Sequence, residues 1–155
     1  MATLEINGTQ HEAKCSFAFD RVAKQKYKNF DENGQEIEGF MSIFLGVLSF
    51  DNQSLVSFWD CALAHEENRP TVTDIENALE AVIEKTGETE PLFKEVFGAI
   101  NESGFYKNPV KKFWDGLETV KTAKGTKEEK AAQMQMYEVL TESRAVLTDS
   151  NTTKS

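Results

Sequence analysis

The segment from Ile37 to Phe50 constrains the fold most, because nearly all of its side chains are apolar. A helix without a polar face lies at the centre of a core or within an interface. Its 14 residues fall short of the roughly 20 that a helix needs to span a bilayer. We therefore expect a central helix here. Its large apolar residues are Phe40, Met41, Ile43, Phe44, Leu45, Val47, Leu48 and Phe50.

Later segments carry apolar residues at the i, i+3, i+4 and i+7 spacing of amphipathic helices. Four of them lie within residues 55–63, 75–83, 92–100 and 113–120. Lys127–Leu147 has the same spacing with few large apolar side chains, and the residues after it are polar. We predict one globular domain over residues 1–121, followed by a helical extension and a disordered tail over residues 122–155.

The N-terminus has the pattern of a β-hairpin. Thr3–Ile6 and His11–Phe19 read as strands, the second with alternating apolar residues, and Asn7-Gly8 between them favours a turn. Asp20 is then expected to cap a short helix over Arg21–Lys28. A lone hairpin is marginal in water and must pack on something. The predicted fold is α+β and mainly α, with the hairpin on a bundle of about five helices.

The charge of the chain is negative and uneven. Its 155 residues contain 17 Lys and Arg against 26 Asp and Glu, a formal charge of −9. We expect no direct nucleic-acid partner, because phosphate contacts supply most of that affinity. Eight acids fall within Glu66–Glu90, and basic residues cluster within 21–28 and 107–112. Two interpretations are open: solvated helix faces, or salt-sensitive head-to-tail self-association.

Motifs for chemistry are missing from the sequence. It has two histidines, His11 and His65. It contains neither of the glycine-rich phosphate-binding motifs, GxGxxG and GxxxxGK(S/T). Cys15 and Cys61 are far apart and sit in apolar patterns typical of reduced, buried thiols. Asn29-x-Asp31-x-Asn33-Gly34 begins like a calcium loop, but its twelfth position is Phe40. We expect no catalytic residue, no cofactor, no metal and no membrane insertion, and the missing secretory pattern favours the cytosol.

Aromatic residues occur in adjacent pairs. Neighbours on a helix point about 100° apart, so both members of a pair do not easily enter one narrow core stripe. One member of each pair is then a candidate for an exposed contact, although a wide core could hold both. With two aromatics of the central segment, the predicted partner-binding residues are Phe40, Phe44, Phe58, Trp59, Phe105, Tyr106, Phe113 and Trp114.

Short segments follow one another in a recognisable order. The strand pair ends in Cys15-Ser16-Phe17-Ala18-Phe19-Asp20. The segments that follow are Gly39-Phe40, Leu45-Gly46-Val47-Leu48, Phe58-Trp59-Asp60-Cys61-Ala62-Leu63-Ala64-His65, Pro70-Thr71-Val72-Thr73-Asp74-Ile75-Glu76-Asn77-Ala78-Leu79-Glu80, Leu92-Phe93-Lys94-Glu95-Val96 and Ser103-Gly104-Phe105-Tyr106. In this order they resemble the phage tail assembly chaperone family of siphophages of Gram-positive bacteria. The resemblance spans roughly residues 3 to 115.

This resemblance implies a function. Such chaperones are small, mainly helical, non-catalytic and prone to oligomerise. They bind the apolar tape-measure protein in the host cytoplasm during tail assembly and are not expected in the mature virion. The alternative is an acidic helical adaptor or regulatory protein that binds a basic partner. Glu76, Glu80 and Glu84 form a row at i, i+4 and i+8 that suits an adaptor, and a solvated helix face has the same row.

Overall fold

The computed structural model describes residues 2–149, which form seven α-helices and two short β-hairpins, so the predicted mainly-α α+β class is confirmed. The elements are β1 Thr3–Ile6, β2 Thr9–Glu12, α1 Phe17–Lys26, β3 Asn29–Phe30, β4 Glu36–Ile37, α2 Gly39–Leu48, α3 Asn52–Ala62, α4 Val72–Thr86, α5 Glu90–Glu102, α6 Lys107–Glu118, a 3₁₀ turn Thr119–Thr122 and α7 Lys127–Thr148.

The N-terminal hairpin pairs β1 with β2 in antiparallel register, with Ile6 opposite Thr9. Asn7 and Gly8 form the turn, both with positive φ, at 51° and 81°. Positive φ at both central residues suits the twist of a tight hairpin. Leu4 and Ile6 are buried, and the hairpin packs on α4. The predicted first strand and Asn-Gly turn are confirmed.

The second strand and the first helix differ from the sequence prediction. β2 ends at Glu12, whereas the alternating pattern extends to Phe19. The Ser16 side chain accepts a hydrogen bond from the Phe19 backbone N–H and caps α1, so Asp20 lies inside the helix instead of capping it. Phe19 and Ala23, four residues apart, are the buried side chains of α1. An N-cap serine and helical burial therefore override a strand-like alternation.

The predicted central helix is α2, which is shorter at both ends than residues 37–50. Ile37 pairs with Asn29 in the β3–β4 hairpin, and Phe50 has a φ of 56°, outside the helical region. α2 packs against α1, α3 and α5. Its buried residues are Gly39, Phe40, Ile43, Phe44, Val47 and Leu48.

Two glycines let α2 approach its neighbours closely. A Cβ at Gly39 would lie 1.9 Å from the Ala23 carbonyl oxygen of α1. A Cβ at Gly46 would lie 1.7 Å from the Ser54 Oγ of α3. Both distances are far inside van der Waals contact, so only glycine fits at these positions in the packed structure.

The last helix, α7, lies on the body along α5, and Leu147 is its buried residue. Lys94 Nζ donates a hydrogen bond to the Asp149 carbonyl over 3.1 Å, and Tyr137 Oη donates one to Glu118 over 2.8 Å. Residues 150–155 of the predicted tail lie outside the described residues. The division of the chain after residue 121 stays a prediction.

Candidate functional site

Six of the eight predicted partner-binding aromatics are buried, and Phe105 and Phe113 are half-buried. The pair Phe58 and Trp59 has no exposed member, so that expectation is wrong there. The reason is that the core is wide enough for both rings: they meet edge to face, with centroids 5.7 Å apart. The wide-core alternative therefore holds at this pair. The buried six are Phe40, Phe44, Phe58, Trp59, Tyr106 and Trp114.

Phe44 is at the centre of the aromatic core. Its ring stacks on Phe97 at 6.0 Å between centroids and meets Phe113 and Trp114 edge to face at 5.5 and 6.3 Å. Edge-to-face and offset-stacked pairs favour the ring quadrupoles. The half-buried Phe113 therefore belongs to this cluster on one side and reaches the surface on the other.

Trp114 lines a surface groove of about 380 Å³ between α5, α6 and α7. We call this the Trp114 groove. Arg144 of α7 lies over the indole ring, with its Cζ 4.4 Å from the centroid. Such a cation–π contact with an exposed arginine contributes about 0.5–1 kcal/mol. The lining residues are Ile100, Asn101, Lys107, Val110, Lys111, Trp114, Asp115, Glu118 and Arg144.

A larger groove of about 540 Å³ lies between the C-terminus of α1, β4, α2 and α3. Serines, amides and charged groups make up most of its wall. Tyr27 is the one aromatic residue among its lining residues. The Tyr27 hydroxyl is held by Asp60. The lining of the Trp114 groove is also mostly polar and charged, but it differs in including an indole ring. Because aromatic rings bury large apolar areas, we take the Trp114 groove as the candidate site for an apolar side chain.

A few large apolar side chains are strongly exposed. Phe17, at the first position of α1, is 76% exposed, and its ring meets Phe105 edge to face at 5.0 Å. Phe30 on β3 is 57% exposed. Met136 and Val139 protrude from α7. The sequence pattern missed Phe17, because strand-like alternation grouped it with Phe19. The helical register set by Ser16 turns it away from the buried stripe.

Asp60 is a buried carboxylate, 2% exposed, with three donors. Lys26 Nζ and Tyr27 Oη each donate to Oδ2 over 2.6 Å, and Arg69 donates to Oδ1. Burial alone would raise the pKa of Asp60, but the hydrogen bonds from these donors outweigh it and hold the pKa below its usual range. A carboxylate this fully bonded supports the fold and is a poor general base. Sequence spacing did not indicate it.

The two thiols are protected. Burial raises the pKa of Cys15 to about 11, against a smaller lowering by a hydrogen bond from Ser103. Burial, and then the charge of Asp60, raise the pKa of Cys61 further. Reactive cysteines have lowered pKa values, so neither thiol has the character of a nucleophile.

In the loop over residues 29–34, which begins like a calcium loop, the Asp31 carboxylate bonds to the backbone of its own loop. Asp31 Oδ1 accepts hydrogen bonds from the Asn33 and Gln35 backbone N–H groups, both over 2.9 Å, and Gly34 has a φ of 78°. This is the bonding of an Asx turn. Within residues 2–149 no three His, Cys, Asp or Glu side chains come together as a metal site.

Comparison with known proteins identifies the family. The family model described as "Phage tail assembly chaperone protein, TAC" matches residues 3–115, which include β1 to the middle of α6. The chain therefore belongs to the phage tail assembly chaperone family, as its ordered segments indicate. Neither the curated proteins nor the solved structures contain a match. Between residues 2 and 149, no helix has the length and apolar character needed to cross a membrane.

Proposed function

We propose that this tail assembly chaperone is non-catalytic and binds apolar helical segments of the tape-measure protein. It keeps them soluble in the host cytoplasm until tail-tube subunits assemble around them, and it is not part of the mature virion. Family membership supports the chaperone role. The observation that carries the choice of surface is that Trp114, a buried core side chain, also lines a groove.

The Trp114 groove suits a helix that presents apolar side chains. Ile100, Val110 and Trp114 supply the apolar lining of the groove, and Lys107 and Lys111 are among the charged residues that line it. Amphipathic helices bind other proteins by placing residues spaced at i, i+3 and i+4 into such grooves. Arg144 of α7 lies over the ring in the free chain and would move aside or stack on the client.

The predicted partner-binding aromatics then have different roles. Trp114 contacts the client, and Phe113 and Phe105 are the two that remain half-buried at the surface. Phe44 supports the groove from below through its contacts with Phe113 and Trp114. The buried Phe40, Phe58, Trp59 and Tyr106 hold the scaffold in shape.

The charge of the protein supports a solubilising role. A net charge of −9 keeps loaded complexes apart by mutual repulsion. We also propose that the protein forms a homo-oligomer, which would present several client grooves to one long tape-measure chain. Linked binding sites hold a repetitive client more tightly than single sites do.

Co-expression with a tape-measure fragment tests the proposal, with a variant that fills the groove and leaves the core intact. Asn101 is exposed and lines the groove, so Asn101→Trp places a ring in it. Gln25→Trp, at an exposed position of α1, is the matched control. We expect wild type and Gln25→Trp to raise the soluble yield of the fragment, and Asn101→Trp to lose at least half of that gain. Equal yields with both variants would contradict this site.

The salt dependence of the complex separates the proposal from an acidic adaptor. Capture of apolar helices tolerates high salt, whereas binding of a basic partner to the carboxylates of α4 is screened by it. Co-purification that survives a high-salt wash supports client capture. Loss of the fragment in that wash would favour the adaptor.

A further inference from the structure

One exposed aromatic side chain has basic residues close to it in the sequence. Phe17 is 76% exposed, and its ring meets Phe105 edge to face. Lys14 lies three residues before it, and Arg21 lies one turn after it on the same face of α1. We call Phe17 and these two bases the Phe17 knob.

The bases of the Phe17 knob have no partner within the described residues. Lys14 and Arg21 are exposed and form no ion pair with any residue of 2–149. Unpaired positive charges near an exposed aromatic favour an acidic partner surface that also has an apolar pocket.

A surface of that kind exists on the same chain. Leu55 and Val56 of α3 and Leu79 and Ile83 of α4 line a cleft of about 200 Å³. Two acidic residues, Glu76 and Glu80, also line it. We call it the α3–α4 cleft.

The acids of the α3–α4 cleft are also unpaired. Glu76, Glu80 and, one turn further, Glu84 form no ion pair within the part of the chain that the structure describes. The knob and the cleft therefore match in sign, and both have an apolar centre. Charge complementarity around an apolar contact fixes register and speeds encounter.

The knob and the cleft lie at opposite ends of α3. The cleft involves its first turns, at Asn52 to Val56. At the other end, Lys14 of the knob donates its backbone N–H to the Ala62 carbonyl over 3.1 Å. Since α3 rises about 1.5 Å per residue, its ends are about 15 Å apart. Phe17 therefore cannot reach the cleft of its own chain.

We propose that the Phe17 knob of one copy binds the α3–α4 cleft of a second copy. Phe17 fills the apolar cleft, and Lys14 and Arg21 face Glu76 and Glu80. This contact is head-to-tail and leaves one knob and one cleft open, so further copies add in the same way. The inference deepens the proposed self-association and is independent of tape-measure binding at the Trp114 groove.

Sedimentation velocity over a range of concentrations tests the contact. Wild-type protein should form larger species as its concentration rises, and added salt should weaken them. Phe17→Ser should weaken association at least tenfold. Phe30→Ser removes another exposed phenylalanine, on β3, and should change association less than twofold. Because both side chains are exposed, both variants should keep the wild-type melting temperature.

Charge reversal and mixing identify the two surfaces. Arg21→Glu and Glu80→Arg should each weaken association, and the double variant should recover at least part of it. A mixture of Phe17→Ser and Glu80→Arg chains retains one intact knob and one intact cleft per pair and should stop at a 1:1 dimer. A monomeric wild type at all concentrations, or equal effects of Phe17→Ser and Phe30→Ser, would overturn the proposal.

A tape-measure fragment tests whether the Phe17 knob binds the client and not a second copy of the chain. If Phe17→Ser leaves self-association unchanged and abolishes co-purification of the fragment, the knob binds the client and the proposal is overturned. If Asn101→Trp fails to affect the fragment while Phe17→Ser abolishes self-association, the self-contact stands and only the client groove is wrong.

Discussion

Phe40 of α2 and Tyr106, the residue before α6, stack face to face with ring centroids 3.7 Å apart and planes 7° apart. The Tyr106 hydroxyl also donates a hydrogen bond to Asp20 of α1 over 3.0 Å. Burial, and then the bond to Asp20, raise the pKa of Tyr106 far above its usual value. One side chain thus joins α1, α2 and the start of α6.

Removing this hydroxyl should weaken the fold without disturbing the stack. We expect Tyr106→Phe to lower the free energy of unfolding by about 1 kcal/mol, the usual contribution of a buried hydrogen bond. Tyr137→Phe is the matched control, because its bond to Glu118 is exposed and water replaces it in the variant, so the loss of stability should be clearly smaller. Urea unfolding curves measure both. Equal effects would show that burial does not strengthen the Tyr106 bond.

Neutralising Asp60 should destabilise the protein at neutral pH. Its carboxylate is buried, and Asp60→Asn cannot satisfy all three donors. Breaking a buried pair costs about 3–5 kcal/mol. We expect Asp60→Asn to lower the free energy of unfolding by about 2–3 kcal/mol. The loss is smaller than for a fully buried pair because the half-exposed Lys26 and Arg69 can be hydrated in the variant.

The effect of Asp60 should depend on pH. Its pKa is lower in the folded protein than the ordinary value of 3.8. The charged carboxylate therefore contributes its stability above that value, and the contribution is lost as pH falls through the folded pKa. The difference in free energy of unfolding between wild type and Asp60→Asn should be constant from pH 5 to pH 7, since pH 5 is already about one unit above the unfolded pKa. The difference should shrink in stronger acid. A difference that grew in acid would contradict this assignment.

A methyl group at position 46 should push α2 away from α3. A Cβ there would meet Ser54 Oγ at 1.7 Å and Ser54 Cβ at 2.9 Å. We expect Gly46→Ala to cost about 1–3 kcal/mol, the usual range for overpacking. Gly116→Ala in α6 is the control: a Cβ there has no neighbour within 4 Å, and it should stabilise the helix by about 0.5–1 kcal/mol. Thermal melts measure both.

Adding Ser54→Gly to Gly46→Ala tests the cause of that loss. The second substitution removes the atoms in conflict, so the double variant should lose less stability than the sum of the two single variants. Residues in contact show such non-additivity, whereas distant ones do not. A fully additive result would show that the cost of Gly46→Ala arises elsewhere.

Both cysteines should react slowly in the native protein. The pKa of Cys15 is raised from 9.0 to about 11, so its thiolate fraction near pH 8 is about a hundredfold lower than that of a free thiol. Alkylation followed by mass spectrometry should show slow labelling of Cys15 and slower labelling of the fully buried Cys61. In urea both should react at equal, fast rates. Rapid native labelling of Cys61 would contradict its burial.

The sequence predicted the helical elements because their apolar residues repeat at regular intervals. Ile75 and Leu79 of α4, for instance, lie on the buried face that the spacing indicates. The prediction from spacing failed at the start of α1, where a strand was expected. Apolar residues alternate with polar ones there, at Ala13, Cys15, Phe17 and Phe19. There a single serine cap decides between two patterns, and local hydrogen bonds of this kind carry no periodic signal.

The candidate site was harder to predict than the fold. Adjacent aromatics such as Phe58 and Trp59 indicated an exposed contact because one helix stripe is narrow. The core, however, receives side chains from several helices and holds both rings. The Trp114 groove depends on α7 bringing Arg144 to the ring, and a contact between residues 30 positions apart leaves no pattern in the local sequence.

The two glycine contacts of α2, with Ala23 and with Ser54, have a mechanical consequence. They touch α1 near one end of α2 and α3 near the other, so any rotation or sliding of α2 would drive backbone into backbone or into a side chain. The aromatic rings of α2 are therefore held in their buried positions. If the proposed client binds, we expect α2 to keep its place and only surface side chains such as Arg144 to move.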